Sequence, residues 1–399
     1  MIKQMNISFI LFTILNIIGC KPDEGPPKPV ENPSPIIWKK LLSKVPASSL
    51  NSTPIYYNET IIVGKKEVSG YMVKARNIEN GDSIWQTSLG NTGGFNPLDE
   101  RFFLYQDKLV LSDGTRSFVM DASNGNLLWK HQSENMTGTS CVIDDYLYKA
   151  DEVDRNTSSL YRYDLNTGFE EKLFTINRVD YGRNYSPGLL MPVKWMHPNG
   201  DEILVLQNRS YGWFTDMEPK MDILAWNLTA DSMLWYRERL DGFSSMSSPA
   251  ISGDKVYFYG DHHAYCINPS NGETIWKYFI GNGPEDDFNT ANVLIIGDKL
   301  VVKPDSDDMH VIDKETGKRI WFNGETRAGP GLLIEHKDTI WFSSGWVLGI
   351  DANTGKKLIE WDNNDRGSWI FPVAHHPTNG YIYTSDARYL YCLDPRYMK

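Results

Sequence analysis

Cysteine is scarce in this chain of 399 residues, which contains four: Cys20, Cys141, Cys266 and Cys392. No two adjoin, and neither CxxC, CxxCH nor a Cys/His cluster with metal-ligand spacing occurs, which excludes a zinc ribbon and an attached c-type haem. Histidine is also sparse, at eight residues. The adjacent pairs His262-His263 and His375-His376 would point to opposite faces of a strand, so neither pair chelates. GxSxG, HExxH and the phosphate-binding loop are all missing. Basic charge is in deficit: 40 Lys and Arg stand against 51 Asp and Glu, a formal net charge of −11. Phosphate recognition needs clustered cations, so nucleic acid is excluded as the main partner and direct adsorption to an anionic lipid surface is disfavoured.

What is present begins with a short N-terminal segment. Lys3 precedes an uncharged apolar run, NISFILFTILNII, too short and wrongly flanked for a spanning helix. Residues 1–19 read as a signal peptide. Ile17-Ile18-Gly19-Cys20 resembles the lipobox of bacterial lipoproteins, which implies cleavage before Cys20 and lipidation of its thiol. Residues 20–35, a proline-rich polar tract, read as an extended tether. Asp23-Glu24 within it resembles a surface-export signal.

From residue 36 onward the chain repeats itself. A short apolar strand ends in Asp or Asn, three residues follow, and then usually Gly: FVMDASNG, YRYDLNTG, YCINPSNG, HVIDKETG, LGIDANTG. The anchors are Asn77, Asp121, Asp164, Asn227, Asn268, Asp313, Asp351 and Asp394. The chemistry is that of a tight turn. The Asp or Asn oxygen accepts from a backbone N–H two residues on, and Gly takes positive φ at no steric cost. A Trp follows four residues after the Gly position: Gly81/Trp85, Gly125/Trp129, Gly272/Trp276 and Gly317/Trp321, with Asp231/Trp235 keeping the spacing without Gly. Phe174 and Trp361 stand in at a spacing of six.

Two further strands precede each turn, as in KLVLSD, KVYFYG and TIWFSS, rich in β-branched and aromatic residues. Units of roughly 40–45 residues with four strands each predict a β-propeller. The last copy stops after its third strand, whereas the first strand, PIIWKKLL, carries Trp38 without a turn before it. Pairing the two chain ends completes the count. The expected fold is all-β: an eight-bladed propeller of four-stranded antiparallel blades over residues 36–399, closed by the N-terminal strand joining the C-terminal blade, which removes two exposed edges. Cys141, Cys266 and Cys392 then read as small buried hydrophobes, since an odd count precludes full pairing and Cys266 and Cys392 hold equivalent positions in distant blades.

These residues resemble the quinoprotein-type (PQQ-like) propeller repeat, whose units read Ala-x-Asp-x-x-x-Gly-x-x-x-Trp. The resemblance implies that the Trp residues dock between blades. It also implies two functional alternatives. Quinoprotein dehydrogenases hold a quinone and calcium and typically carry a vicinal Cys-Cys disulfide, which is absent here. Non-catalytic lipoproteins, such as the propeller of the outer-membrane β-barrel assembly machine, use the ring as a docking surface. The acids Asp305, Asp307 and Asp308, Asp286-Asp287 and the DNND stretch from Asp362 read as solvated hairpins rather than calcium ligands. The expectation is a lipid-anchored outer-membrane scaffold without enzymatic activity, metal or cofactor, a monomeric ring touching the membrane through its anchor alone, with an envelope protein as partner. A surface glycan is the second alternative and quinone-dependent oxidation of an alcohol or sugar the third.

Binding is sought where the rhythm breaks, because propeller strands are occupied with packing. The insertion RSYGWFTDMEPKM offers Tyr211, Trp213 and Phe214, and the connection NRVDYGRNYSPG offers Arg178, Tyr181, Arg183 and Tyr185. Loops expected at one channel mouth add Arg327, Arg366 and Trp369. Aromatic faces beside Arg suit protein hot spots and glycans alike.

Overall fold

In the computed structural model each copy of the turn but the last, at Asp394, closes a hairpin between the third and outer strands of a blade. At Asp313 the carboxylate accepts from the amides of Glu315 (3.0 Å) and Thr316 (2.7 Å). Gly317 has φ +70° and donates to the Asp313 carbonyl at 2.8 Å. Asp351 repeats the pattern with Asn353, Thr354 and Gly355. At blade 4 Asp231 adopts φ +49° where the neighbouring copies have Gly168 and Gly272.

The structure describes residues 34–398 except 43–51, 68–69, 91–100, 113–114, 134–136, 155–156, 178–184, 187, 213–219, 243–247, 261, 282–291, 305–307, 328–331, 344 and 363–372. Among these, the strands form eight antiparallel sheets, seven of four strands and one of five. Blade 1 runs Ile55–Tyr57, Thr60–Glu67, Gly70–Asn77 and Ser83–Ser88 from inner to outer strand. Blade 8 is assembled from both chain ends: Ala374–His375, Ile382–Ser385 and Tyr389–Leu393 are completed by Ile36–Leu41, with Trp38 opposite Cys392.

The second and third strands are apolar on both faces because each blade is covered on both sides. The core is accordingly divided into eight clusters, one at each seam. The cluster that closes the ring joins Tyr383, Leu390 and Cys392 of blade 8 to Ile61, Val63 and Ile78 of blade 1 around Trp38 and Leu42.

The Trp residues hold the seams in a repeated way. The indole lies over the turn of the following blade, and in five copies its Nε1–H donates to the carbonyl just after that turn's Asp or Asn. The bonds are Trp38 to Ile78 (3.0 Å), Trp129 to Leu165 (3.0 Å), Trp235 to Pro269 (2.7 Å), Trp276 to Lys314 (3.0 Å) and Trp321 to Ala352 (3.1 Å). The turn glycine makes room: a Cβ on Gly355 would stand 2.5 Å from Trp321. A β-bulge in the outer strand aims each Trp at its seam.

Trp85 holds its seam differently from these five. Its ring is half-buried against the core shared by blades 1 and 2 and covers the blade-2 turn, where a Cβ on Gly125 would stand 2.4 Å from it. Its buried Nε1–H, however, has no acceptor among the described residues. The polar tie at this seam comes instead from Thr87, two residues on, whose hydroxyl donates to the Gly125 carbonyl at 2.7 Å. Among the described residues Trp85 therefore docks by packing.

The two stand-ins differ as well. In blade 7 Ile359, opposite Gly349, holds the register position of the Trp, and Trp361 lies two residues further on, edge-on to Tyr391 of blade 8 at 5.3 Å. In blade 3 the bulge shifts toward the strand end, and Phe174 stacks on Trp226 of blade 4 at 4.5 Å.

Strand alternation separates the two faces of the ring. Turns from inner to second strand and the Asp turns lie on one, here the turn face. Loops from second to third strand and from one blade to the next lie on the other, the loop face. The turn face gathers exposed carboxylates such as Glu59, Asp107, Asp254, Asp298 and Asp338.

A candidate binding surface at blade 4

Blade 4 breaks the pattern on the loop face. Its second and third strands, Glu202–Gly212 and Lys220–Asn227, are longer than the Lys255–Tyr259 and His263–Ile267 of blade 5. The inner strand is interrupted to match. Val193–Met196 pairs with the lower part of the second strand, Leu189 bridges to Asn208, and Tyr185–Ser186 pairs with Tyr211–Gly212 at the top. The two irregular segments picked out in the sequence, one carrying Tyr185 and the other Tyr211, are thus brought together as backbone partners.

A buried polar hub supports this extension. Asp222 is fully buried and accepts from the Tyr236 hydroxyl (2.6 Å), the Asn208 side-chain amide (3.1 Å) and the Arg239 backbone N–H (2.8 Å). Arg239 reaches it by taking φ +52° at a register shift in the outer strand. Asn208 in turn accepts from the Gly188 amide at 3.0 Å, tying the interrupted inner strand to the hub. Gln207 donates to the Tyr259 carbonyl at 2.7 Å and so fixes the extension to blade 5. Low local dielectric strengthens such a network and makes loss of any member costly. Asp222, Asn208 and Tyr236 were missed by sequence reasoning; the signal was polar QNR ending an otherwise apolar strand.

Of the remaining candidates, Arg178, Tyr181, Arg183, Trp213, Phe214, Arg366 and Trp369 lie outside the described residues. Cys20, Asp286, Asp287, Asp305, Asp307 and the DNND stretch after Asp362 do so too. Arg327 reaches across the seam of blades 6 and 7. Its guanidinium stacks 3.8 Å from the centroid of Trp346 and pairs with Glu360. Lys357 and then Arg327 hold the Glu360 carboxyl below the usual carboxylate range. A second cation is buried beneath it: Lys303 donates to the Arg327 carbonyl at 3.0 Å.

Cys141, Cys266 and Cys392 are buried, and none forms a disulfide among the described residues. Burial pushes the thiols of Cys266 and Cys392 up to about 12, so both are inert apolar fillers. His375 stacks on His336 of blade 7 at 4.6 Å, and His376 faces Tyr56 of blade 1 at 5.6 Å. Strand alternation sends the pair to opposite faces, and burial lowers His375 to about 3. Among the described residues, no group of three or more His, Cys, Asp or Glu is placed to hold a metal ion.

Comparison with known proteins places these features in context. A curated relative, tetrathionate hydrolase of Acidithiobacillus ferrooxidans, is 21% identical over 315 residues, 71% of this chain and 62% of the relative. The chain therefore spans less than two thirds of that protein. Crystal structures of BamB from Moraxella catarrhalis (TM-score 0.55, 12% identity, 89% of this chain and 97% of that one) and of quinohemoprotein alcohol dehydrogenase from Comamonas testosteroni (TM-score 0.62, 12% identity, 90% and 76%) share the propeller fold. The matches thus include a hydrolase, a dehydrogenase and BamB. The family model described as outer membrane protein assembly factor BamB matches residues 36–172 and 214–363, leaving unmatched the stretch that holds the interrupted inner strand and rising second strand of blade 4. Spanning well over half of its length, that match makes this chain a member of the BamB-type family of PQQ-like propellers.

Proposed function

We propose that the chain is a non-catalytic scaffold of the bacterial envelope, anchored through lipid on Cys20, that binds a partner protein with the blade-4 extension. The observation that carries this reading is the pairing of two irregular segments, outside the family's common pattern, on a buried polar hub. A rigid support under irregular loops is how propellers and other scaffolds present recognition surfaces. Membership of a family described as an outer membrane assembly factor supports envelope location and protein binding. The sequence has no adjacent cysteine pair of the kind that quinoprotein dehydrogenases typically carry, which favours the non-catalytic reading.

The test is site-specific photo-crosslinking in cells from Trp213, which follows the second strand of blade 4 in sequence, and from Ser232 on the turn face. A discrete protein adduct from Trp213 and none from Ser232 is expected. Cys20→Ala should move the chain from the membrane to the soluble fraction and abolish the adduct. Equal adducts from both positions would sink the placement. Glycan-array binding without any protein adduct would favour a surface glycan as the ligand, and dye-linked alcohol oxidation after addition of quinone and calcium would overturn the non-catalytic reading.

A further inference from the structure

The seam between blades 7 and 8 holds two histidine rings face to face. His336 ends the inner strand Ile334–His336 of blade 7, and His375 ends the inner strand Ala374–His375 of blade 8. The rings stack at 4.6 Å with 17° between their planes, and Trp341 of blade 7 meets His375 edge-on at 5.2 Å. Nδ1 and Nε2 of His375, Nε2 of His336 and Nε1 of Trp341 are all buried without a hydrogen-bond partner among the described residues. Trp341 itself belongs to the apolar cluster of this seam, with Val373, Ile382 and Ile334. Rings so nearly parallel offer no point at bonding distance in the plane of both, so the pair is not a metal chelate.

Histidines at other seams have polar company. His131 lies 3.5 Å from Glu170, His263 lies 3.5 Å from Asp241, and His310 lies 3.0 Å from the Tyr278 hydroxyl. His376, on the opposite face of its strand, accepts from the Thr378 amide at 3.2 Å. Around His336 and His375 the charged groups are Glu335, adjacent to His336, and Lys337 in the hairpin turn of blade 7. A Cβ on Gly380 of blade 8 would stand 3.6 Å from His336 Nε2 and 3.8 Å from Lys337 Nζ, so that cation lies against the same turn. The second strands Thr339–Ser343 and Ile382–Ser385 carry no charged residue, nor does the blade-8 turn Pro377-Thr378-Asn379-Gly380. Burial, then His336 and Lys337, lower His375 to about 3. Burial and then Lys337 lower His336, with Glu335 acting the other way. An imidazolium needs acceptors for two N–H groups, and two stacked imidazolium rings repel each other.

We propose that the seam between blades 7 and 8 is an acid-sensitive latch: charging the stacked pair His336 and His375 parts the inner strands of these two blades while the other seams stay closed. Once parted, the rings meet water and return to the ordinary histidine value of 6.5. The open seam therefore binds protons that the closed seam refuses. Closure is fully present above about pH 6.5 and is lost as pH falls from there toward about 3. A ring at about 6.5 when open and about 3 when closed favours opening about 30-fold more at pH 5 than at pH 7.5. Histidine pairs at packed interfaces act as pH switches on this principle. The latch is independent of the blade-4 surface.

Hydrogen exchange of the purified full chain at pH 7.5 and pH 5, with intrinsic rates corrected for pH, tests it. Protection of Ile334–His336 and Thr339–Ser343 in blade 7, and of Ala374–His375 and Ile382–Ser385 in blade 8, should fall about 30-fold at pH 5. Lys108–Ser112 of blade 2 should keep its protection. His336→Gln with His375→Gln removes both titrating rings and should make the two pH values agree within about twofold. Should that double variant fail to fold, Lys337→Asp remains informative, since it changes an exposed turn residue and sets a carboxylate beside the rings. It should raise the histidines of the closed seam and cut the loss at pH 5 to below about tenfold. Unchanged protection at pH 5, an equal fall in Lys108–Ser112, a fall that persists in the double glutamine variant, or one that Lys337→Asp leaves at full size would each overturn the latch.

Discussion

Gly355 and Trp321 show how one position in the repeat governs another in the next blade. The glycine has φ +73°, and a methyl there would meet the indole edge 2.5 Å away. Strain and overlap act together, so Gly355→Ala should destabilise the protein by about 2 kcal/mol or more. Trp321→Ala removes a side chain only 9% exposed and its bond to Ala352, and should cost about 3–5 kcal/mol. The urea midpoint of unfolding measures both; a Gly355→Ala variant that unfolds with the wild type would refute the interlock. At this scale the sequence was legible because turn chemistry is local. Asp313 and Gly317 bond within five residues of each other, and their types follow from backbone geometry alone. Legibility failed where a neighbour decides. Trp85 has the same spacing from its glycine as Trp321, yet only the next blade determines whether its indole finds an acceptor. Nor does spacing reveal that Ile359, rather than Trp361, faces Gly349 in blade 7, since a bulge sets that register.

Among the elements, blade 4 is where non-local pairing outweighs the repeat. Its strands EILVLQN and DILAWN were readable as apolar runs, and the irregular segments around Tyr185 and Tyr211 were readable as departures. Their pairing was not, because it joins residues on either side of an interrupted inner strand through backbone bonds that leave no mark on side-chain pattern. The hub beneath left only the polar QNR stretch as a trace, since a lone Asp in a strand gains meaning only from Asn208 and Tyr236 beside it. That dependence makes a sharp expectation. Asp222→Ala leaves the Tyr236 hydroxyl, the Asn208 amide and the Arg239 N–H without their acceptor, a loss of about 2–4 kcal/mol. Hydrogen exchange should rise in Glu202–Gly212 and Lys220–Asn227 while Lys255–Tyr259 of blade 5 keeps its protection. Uniform loss of protection over all blades would show instead that the hub serves the whole ring.

At the scale of the molecule, eight seams of similar construction raise the question of what holds the chain ends together. The answer lies in a strand of six residues. Ile36–Leu41 supplies the outer strand of blade 8, Trp38 donates across the seam to Ile78, and the Leu42 carbonyl accepts from the buried Lys74 at 2.7 Å. Blade 1 reciprocates on the loop face, where Lys65, wholly buried, donates to the Ala387 carbonyl of blade 8. Desolvation and the nearby Lys74 lower Lys65 to about 8, so that contact depends on a costly buried cation and persists because the seam is closed around it. Removing the strand would strip Trp38 and Leu42 from the closing cluster and expose one face of Tyr383 and Cys392. A chain beginning at residue 34 should therefore unfold cooperatively with Cys392 inaccessible, whereas one beginning at residue 43 should open at this seam first. Thiol labelling reports the difference, because both chains lack Cys20 and retain Cys266 and Cys392 at matching positions of blades 5 and 8. In the shorter chain Cys392 should be labelled under native conditions at least tenfold faster than Cys266, as expected when local opening replaces global unfolding as the route to the thiol. Equal labelling of the two would mean that the ring holds without its closing strand, and that seven complete blades are enough.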